Sequence, residues 1–87
     1  MDMYFVYLLK SLLDGGWYIG YTEDVHRRLL DHNSGKNIST YVRRPFILIY
    51  YEAYLHKLNA LGREKFLKSG SGRKFLEKQM RHFIGLS

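Results

Sequence analysis

Trp17-Tyr18-Ile19-Gly20-Tyr21-Thr22-Glu23-Asp24 runs straight into Val25-His26-Arg27-Arg28-Leu29-Leu30-Asp31-His32-Asn33. The first five residues are aromatic and β-branched around one glycine and read as a strand. Thr22 and Asp24 are both helix-capping types, so a helix is expected from Val25 to His32 or Asn33. At about 100° per residue, Val25 and Leu29 fall close together with Arg28 and His32 flanking them, while Arg27 turns roughly opposite. A strand tyrosine, an inward arginine and a histidine are thereby expected near one point. The rest of the chain supplies what that point lacks, or holds it in place.

Upstream, Tyr4-Phe5-Val6-Tyr7-Leu8-Leu9 reads as a strand buried on both faces. Asp14-Gly15-Gly16 is turn chemistry, and so short a loop makes the two strands an antiparallel hairpin. Tyr18 shares a face with Gly20, and Tyr7 with Phe5 and Leu9. The loop leaves the register open, but Tyr7 and Tyr18 can be neighbours on one face.

Downstream, residues 34–44 form a polar, basic connection carrying Lys36, Arg43 and Arg44. Pro45 holds Arg44 extended. Phe46-Ile47-Leu48-Ile49-Tyr50-Tyr51 is the most continuous apolar run and is expected inside the sheet. A second helix covers about Leu55 to Lys68 and stops at Gly70, with Ala60, Leu61, Glu64, Leu67 and Lys68 as its inner stripe. Ser71 is a cap for a last, basic helix from about Gly72 to His82. It carries Arg73, Lys74, Lys78 and Arg81, with Phe75, Leu76 and Met80 turned inward. The order β-β-α-β-α-α specifies an α+β fold, a three-stranded antiparallel sheet with helices packed on it.

The 87 residues suffice for a single domain, 1–87, with one modest core enriched in aromatics. A formal charge of +6 points to a polyanionic partner, nucleic acid before an anionic membrane. The absence of Cys excludes disulfides, thiolate zinc sites and thiol nucleophiles. Met1-Asp2-Met3 provides no basic leader, and no apolar run approaches a membrane span. A soluble cytoplasmic protein without membrane attachment is the expectation.

Glu64 stands in the middle of an apolar stripe, so it must be paired, hydrogen-bonded or metal-bound. Lys68 and Lys36 are available ion partners. Tyrosines, an arginine, a histidine and a lone carboxylate on a basic protein match the needs of phosphodiester hydrolysis. That reaction takes a base for water, a cation for the transition-state phosphate and a carboxylate for a divalent metal. A single protein ligand suits Mg²⁺, which keeps most of its waters and shares oxygens with substrate; Mn²⁺ can substitute.

Tyr18-Ile19-Gly20, with Arg28 ten and His32 fourteen residues after Tyr18, resembles the core of the GIY-YIG nuclease superfamily. Ala60-Leu61-Gly62-Arg63-Glu64-Lys65 resembles the segment around its metal-binding glutamate. The likeness runs from Tyr4 to about Lys78 and is greatest to small stand-alone bacterial members, through His32-Asn33-Ser34-Gly35-Lys36 and Arg44-Pro45. It implies a β-β-α-β-α-α fold and metal-dependent hydrolysis of nucleic-acid phosphodiesters. By that resemblance, Tyr7 or Tyr18 orients or deprotonates the attacking water, Arg28 stabilises the scissile phosphate and His32 assists. Glu64 holds Mg²⁺, and Gly20 lets backbone approach the site. Lys36, Arg43, Arg44, Lys68, Arg73 and Lys74 are the expected nucleic-acid contacts. The first motif survives here as Phe5-Val6-Tyr7, with its tyrosine alone, and the late polar residue of many members has no counterpart. DNA is the expected substrate, cut by structure or with weak specificity in a repair or recombination role. A protein partner could supply specificity. The competing expectation is a non-catalytic nucleic-acid-binding module or a subunit of a DNA-repair complex.

Overall fold

A computed structural model of the chain describes residues 2–85. Its elements are β1 (Tyr4–Ser11), β2 (Trp17–Thr22), α1 (Val25–Asn33), β3 (Phe46–Tyr54), α2 (Lys57–Leu67), α3 (Gly70–Gln79) and α4 (Arg81–Ile84). A 3-10 turn, Tyr41–Arg43, interrupts the connection into β3. The three strands form one antiparallel sheet in the order β2-β1-β3, as the α+β reading requires.

Alternation along β1 divides the side chains between two helical layers. Val6 and Leu8 face α2 and α3, packing with Ala60, Leu67, Leu76 and Met80. Tyr7 and Leu9 take the other face with Phe46, Leu48, Tyr18 and Leu29 of α1. The hairpin pairs Tyr7 with Gly20 and Leu9 with Tyr18. Directly opposed residues share a face, so both tyrosines stand on the α1 side, ring centroids 6.3 Å apart.

The expectation that β3 lies inside the sheet is wrong: β1 is the central strand and β3 an edge. Continuous apolarity bears on the two faces of a strand and says nothing about which edges are paired. Ile47 and Tyr51 of this edge strand are exposed, and Ile49 bulges opposite the Leu8–Leu9 step.

α2 starts at Lys57 rather than Leu55, because the His56 ring accepts the Leu58 N–H at 3.2 Å and caps it. Of its expected inner stripe, Ala60 and Leu67 are buried, whereas Leu61 and Lys68 are exposed. α3 begins at Gly70, capped by Ser69 in place of Ser71. Its first turn sits directly on the end of α2, where a Cβ on Gly72 would overlap the Phe66 carbonyl and Leu67 Cα. The last helix is also shorter than expected; it ends at Gln79, and α4 follows Met80.

Candidate active site

Asp24, and not Thr22, caps α1 by accepting the Arg27 N–H at 3.1 Å. That start sets the rotation of the helix and delivers Arg28 and His32 to the tyrosine face. Arg27 points outward to an exposed pair with Asp31 at 3.7 Å. Arg28 instead points its Nε–H at the Tyr7 hydroxyl, 3.4 Å away. His32 shows no exposed surface; its Nε2 lies 2.9 Å from the Tyr7 Oη and its Nδ1 2.8 Å from the Thr40 Oγ1.

One assignment of protons satisfies every donor in this buried chain. The Thr40 hydroxyl donates to the Asn37 carbonyl at 3.4 Å. His32 Nδ1–H then donates to Thr40, and Nε2 is left as acceptor for the Tyr7 O–H. The opposite direction would leave the Tyr7 proton without an acceptor among the described residues, which is costly at a buried site. Tyr7 therefore aims its proton at a neutral imidazole.

The electrostatics agree. Burial, then the nearby Arg28 charge, push His32 below its ordinary 6.5, so it is neutral at pH 7. Burial dominates at Tyr7 and raises it to about 12; the Arg28 hydrogen bond opposes this, and Tyr18 and Glu64 add smaller upward pushes. The Glu64 charge is thus felt at the Tyr7 hydroxyl, although α2 packs on the other face of the sheet. Gly20 explains the close approach: the Tyr7 ring lies over it, and a Cβ there would overlap the ring and its hydroxyl. The glycine makes room for a side chain rather than for backbone alone. Tyr18 is half-buried, its ring edge-on to His32 at 4.8 Å, and its hydroxyl has no partner among the described residues.

Glu64 is paired with Lys68, Oε2 to Nζ at 2.9 Å, with about 20% of its side chain exposed. No group of three His, Cys, Asp or Glu able to hold a metal occurs among the described residues. A lone carboxylate fits only a hard cation that keeps most of its waters and takes further oxygens from substrate. It does not fit a dedicated protein cage.

The expected nucleic-acid contacts separate into two groups. Lys36 is tied loosely to Asp31 at 3.5 Å, and Arg44 covers the Tyr41 ring at 4.1 Å. Arg43 is committed to structure, holding Asp14 at 2.8 Å and pulling that carboxyl down to about 2. Lys68, Arg73 and Lys74 lie at the α2–α3 corner; Arg73 stacks 4.3 Å over the Trp17 ring.

Three positioning residues escape a reading of the sequence. Thr40 anchors His32, Asn33 clamps the start of β3 through Phe46 N–H at 2.7 Å and Phe46 carbonyl at 3.0 Å, and buried Ser11 donates to the Arg43 carbonyl at 2.6 Å. None lies in a periodic stripe. Asn33 stood only inside the shared His32-to-Lys36 stretch, which was a usable signal.

The family model for the GIY-YIG catalytic domain matches residues 3–78. A UPF0213 protein of Staphylococcus epidermidis is 46% identical over 70 residues, covering 79% of this chain and 84% of that protein. Another, from Staphylococcus aureus, is 44% identical over 77 residues, covering 87% and 93%. A UPF0213 protein of Bacillus halodurans, known from a solution NMR structure, superposes with a TM-score of 0.55 at 38% identity, covering 88% of this chain and 84% of that one. These names assign no activity. The matched span runs from β1 to the last turn of α3 and contains every residue of the tyrosine, arginine, histidine and glutamate set, and on that ground the chain belongs to the GIY-YIG family of nuclease catalytic domains.

Proposed function

We propose that this protein is a Mg²⁺- or Mn²⁺-dependent endonuclease that hydrolyses phosphodiester bonds in DNA. It acts on branched or weakly specified structures in a repair or recombination role, as a single cytoplasmic domain. The observation that carries this reading is the directed chain from Tyr7 through His32 to Thr40, with Arg28 on its first hydroxyl.

In the proposed reaction, Tyr7 Oη takes a proton from the attacking water as it passes its own to His32 Nε2. A neutral histidine can accept that proton, and a tyrosine near 12 need never be a free phenolate. Tyr18, the more accessible of the two, orients the water. Arg28 is always cationic, and its remaining guanidinium donors, unengaged among the described residues, stabilise charge on the phosphate. A cation held through Glu64 would supply Lewis-acid charge at the phosphate oxygens.

A second reading, a nucleic-acid-binding module without turnover or a subunit of a repair complex, is favoured by the Lys68–Glu64 pair, which neutralises the proposed ligand. Cleavage separates the two. Labelled duplex, single-stranded, flapped and branched DNA and single-stranded RNA are incubated with Mg²⁺ or with EDTA. Wild type is expected to cut only with metal, and Glu64→Ala and Arg28→Ala to lose at least about a hundredfold while still binding. Tyr7→Phe loses roughly 10²–10⁴-fold and Tyr18→Phe less. A Glu64→Ala variant as fast as wild type removes the metal assignment. Tight binding with no cleavage of any substrate establishes the binding module instead.

A further inference from the structure

A groove of about 450 Å³ opens between β2 and the α2–α3 corner, lined in part by Trp17, Tyr18, Lys68, Ser69 and Arg73. Its volume suits one small ligand or one base. Two contacts join it to the catalytic cluster. Tyr18 lines the groove and meets His32 edge-on at 4.8 Å; Lys68 lines it and holds Glu64 at 2.9 Å.

The lining has a specific chemistry. Both charged residues in it are cations, and no carboxylate lines it. Its aromatic floor is Trp17, which packs on the core cluster yet opens to the groove. The guanidinium of Arg73, 4.3 Å over the indole, covers it. Arg73 is half-exposed and, among the described residues, otherwise held only by Glu77 at 3.4 Å, so this cover is displaceable. Aromatic platforms beside half-exposed cations are how proteins hold unpaired bases and their phosphates, and stacking of a base outweighs an exposed cation–π contact.

We propose that the groove takes one unpaired nucleotide of the strand adjoining the scissile bond, its base stacked on Trp17 and its phosphate between Lys68 and Arg73. The selected substrate is then DNA with a single-stranded segment beside the cut, a flap or splayed fork, because a paired base must first be unpaired and unstacked before it can enter, and an unpaired one need not. This names the substrate class of the proposed nuclease and rests on that reading for its biological use.

Trp17 is the sole tryptophan, so its fluorescence reports the site directly, in EDTA and without turnover. An oligothymidylate strand should quench it to saturation. An abasic strand of equal length should bind roughly 5- to 150-fold more weakly, with little quenching. Trp17→Leu should weaken oligothymidylate binding by the same factor, and Trp17→Tyr should recover most of it. With Mg²⁺, Trp17→Leu should lose preference for flapped over blunt duplex DNA. The proposal is overturned if the strand binds without changing the fluorescence, or if folded Trp17→Leu binds it unchanged. Should Trp17→Leu not fold, Arg73→Ala decides: it should weaken binding and lower the salt slope by about 0.7, the single-strand value for one phosphate, and unchanged binding refutes the groove. Quenching without cleavage of any substrate sinks the nuclease and leaves the groove; cleavage without quenching does the reverse.

Discussion

Thr40 exposes no surface, yet it sits in a connection whose sequence reads only as polar and basic. Its oxygen receives the His32 Nδ1 proton and thereby keeps Nε2 free for Tyr7. Thr40→Val preserves shape and removes that acceptor, so the imidazole is expected to move its proton to Nε2 and cease accepting from Tyr7. Cleavage should fall about tenfold or more, the worth of one hydrogen bond, with Thr40→Ser restoring it; a folded Thr40→Val at the wild-type rate would refute the assignment. The same histidine sets a pH dependence. Burial and Arg28 hold its folded value below 6.5, so the unfolded chain binds the proton first as pH drops. Stability and rate should both decline as pH falls from 6.5 toward that lower value. Denaturant titrations between about pH 5 and 8 should show His32→Asn lacking a slope of up to about 1.4 kcal/mol per pH unit. An equal slope in the variant would assign the dependence elsewhere.

Among the elements, α1 was legible because its period of 3.6 residues places Arg28 and His32 on the Leu29 side without any tertiary information. The hairpin was legible from Asp14-Gly15-Gly16, and the shared face of Tyr7 and Tyr18 became definite only with the register. The position of β3 was not legible, since apolarity bears on a strand's faces and not on whether its edges are paired. The α3 cap was ambiguous because Ser69 and Ser71 are equal in local chemistry, and the contact of Gly72 with the end of α2 decides between them. Nor did the sequence reveal what fixes α2 to the sheet. Glu52 of β3 accepts from Tyr50 at 2.5 Å, from Tyr54 at 2.7 Å and from both ends of the Arg63 guanidinium at 2.8 and 3.1 Å. Arg63 itself lies against Phe66 and Phe75. Burial alone would raise Glu52, but these hydrogen bonds outweigh it and hold the carboxyl below its ordinary value. Its contribution is therefore present at neutral pH and lost in acid. With the pair only partly exposed, Glu52→Gln should cost roughly 1–3 kcal/mol in denaturant unfolding at pH 7, and Arg63→Ala more, since it strands the carboxylate. Wild-type stability in Arg63→Ala would reduce the network to ornament. Arg63 immediately precedes Glu64, so loosening this clamp should also blunt cleavage.

At the scale of the molecule, the proposed site draws residues from both helical layers of the sheet. Tyr7, Tyr18, Arg28 and His32 come from the α1 side, where Gly20 makes room for the Tyr7 ring, and Glu64 comes from α2. The excess charge of +6 must serve such a site unevenly. A cation held by several internal partners at once is poorly placed to neutralise a phosphate, whereas a lightly held one can turn to it and release a counterion on binding. Arg43 and Arg44 are adjacent in sequence and differ in this respect. Arg43 is held by Asp14, by the Trp17 carbonyl at 3.4 Å and by the Phe46 ring at 5.5 Å. Arg44 gives one donor to the Tyr41 carbonyl and lays its charge over an exposed ring. On duplex DNA, Arg44→Ala and Lys74→Ala should each lower the salt slope of binding by about one, with little loss of stability. Arg43→Ala should leave the slope unchanged and lower the unfolding midpoint, because it frees the loop that ends beside buried Ser11. Binding isotherms across a salt series, paired with thermal unfolding of the same variants, test the division directly. If Arg43→Ala changes the slope and spares stability, the basic connection meets DNA through the residue that the fold holds most firmly, and the nucleic-acid face must be redrawn around it.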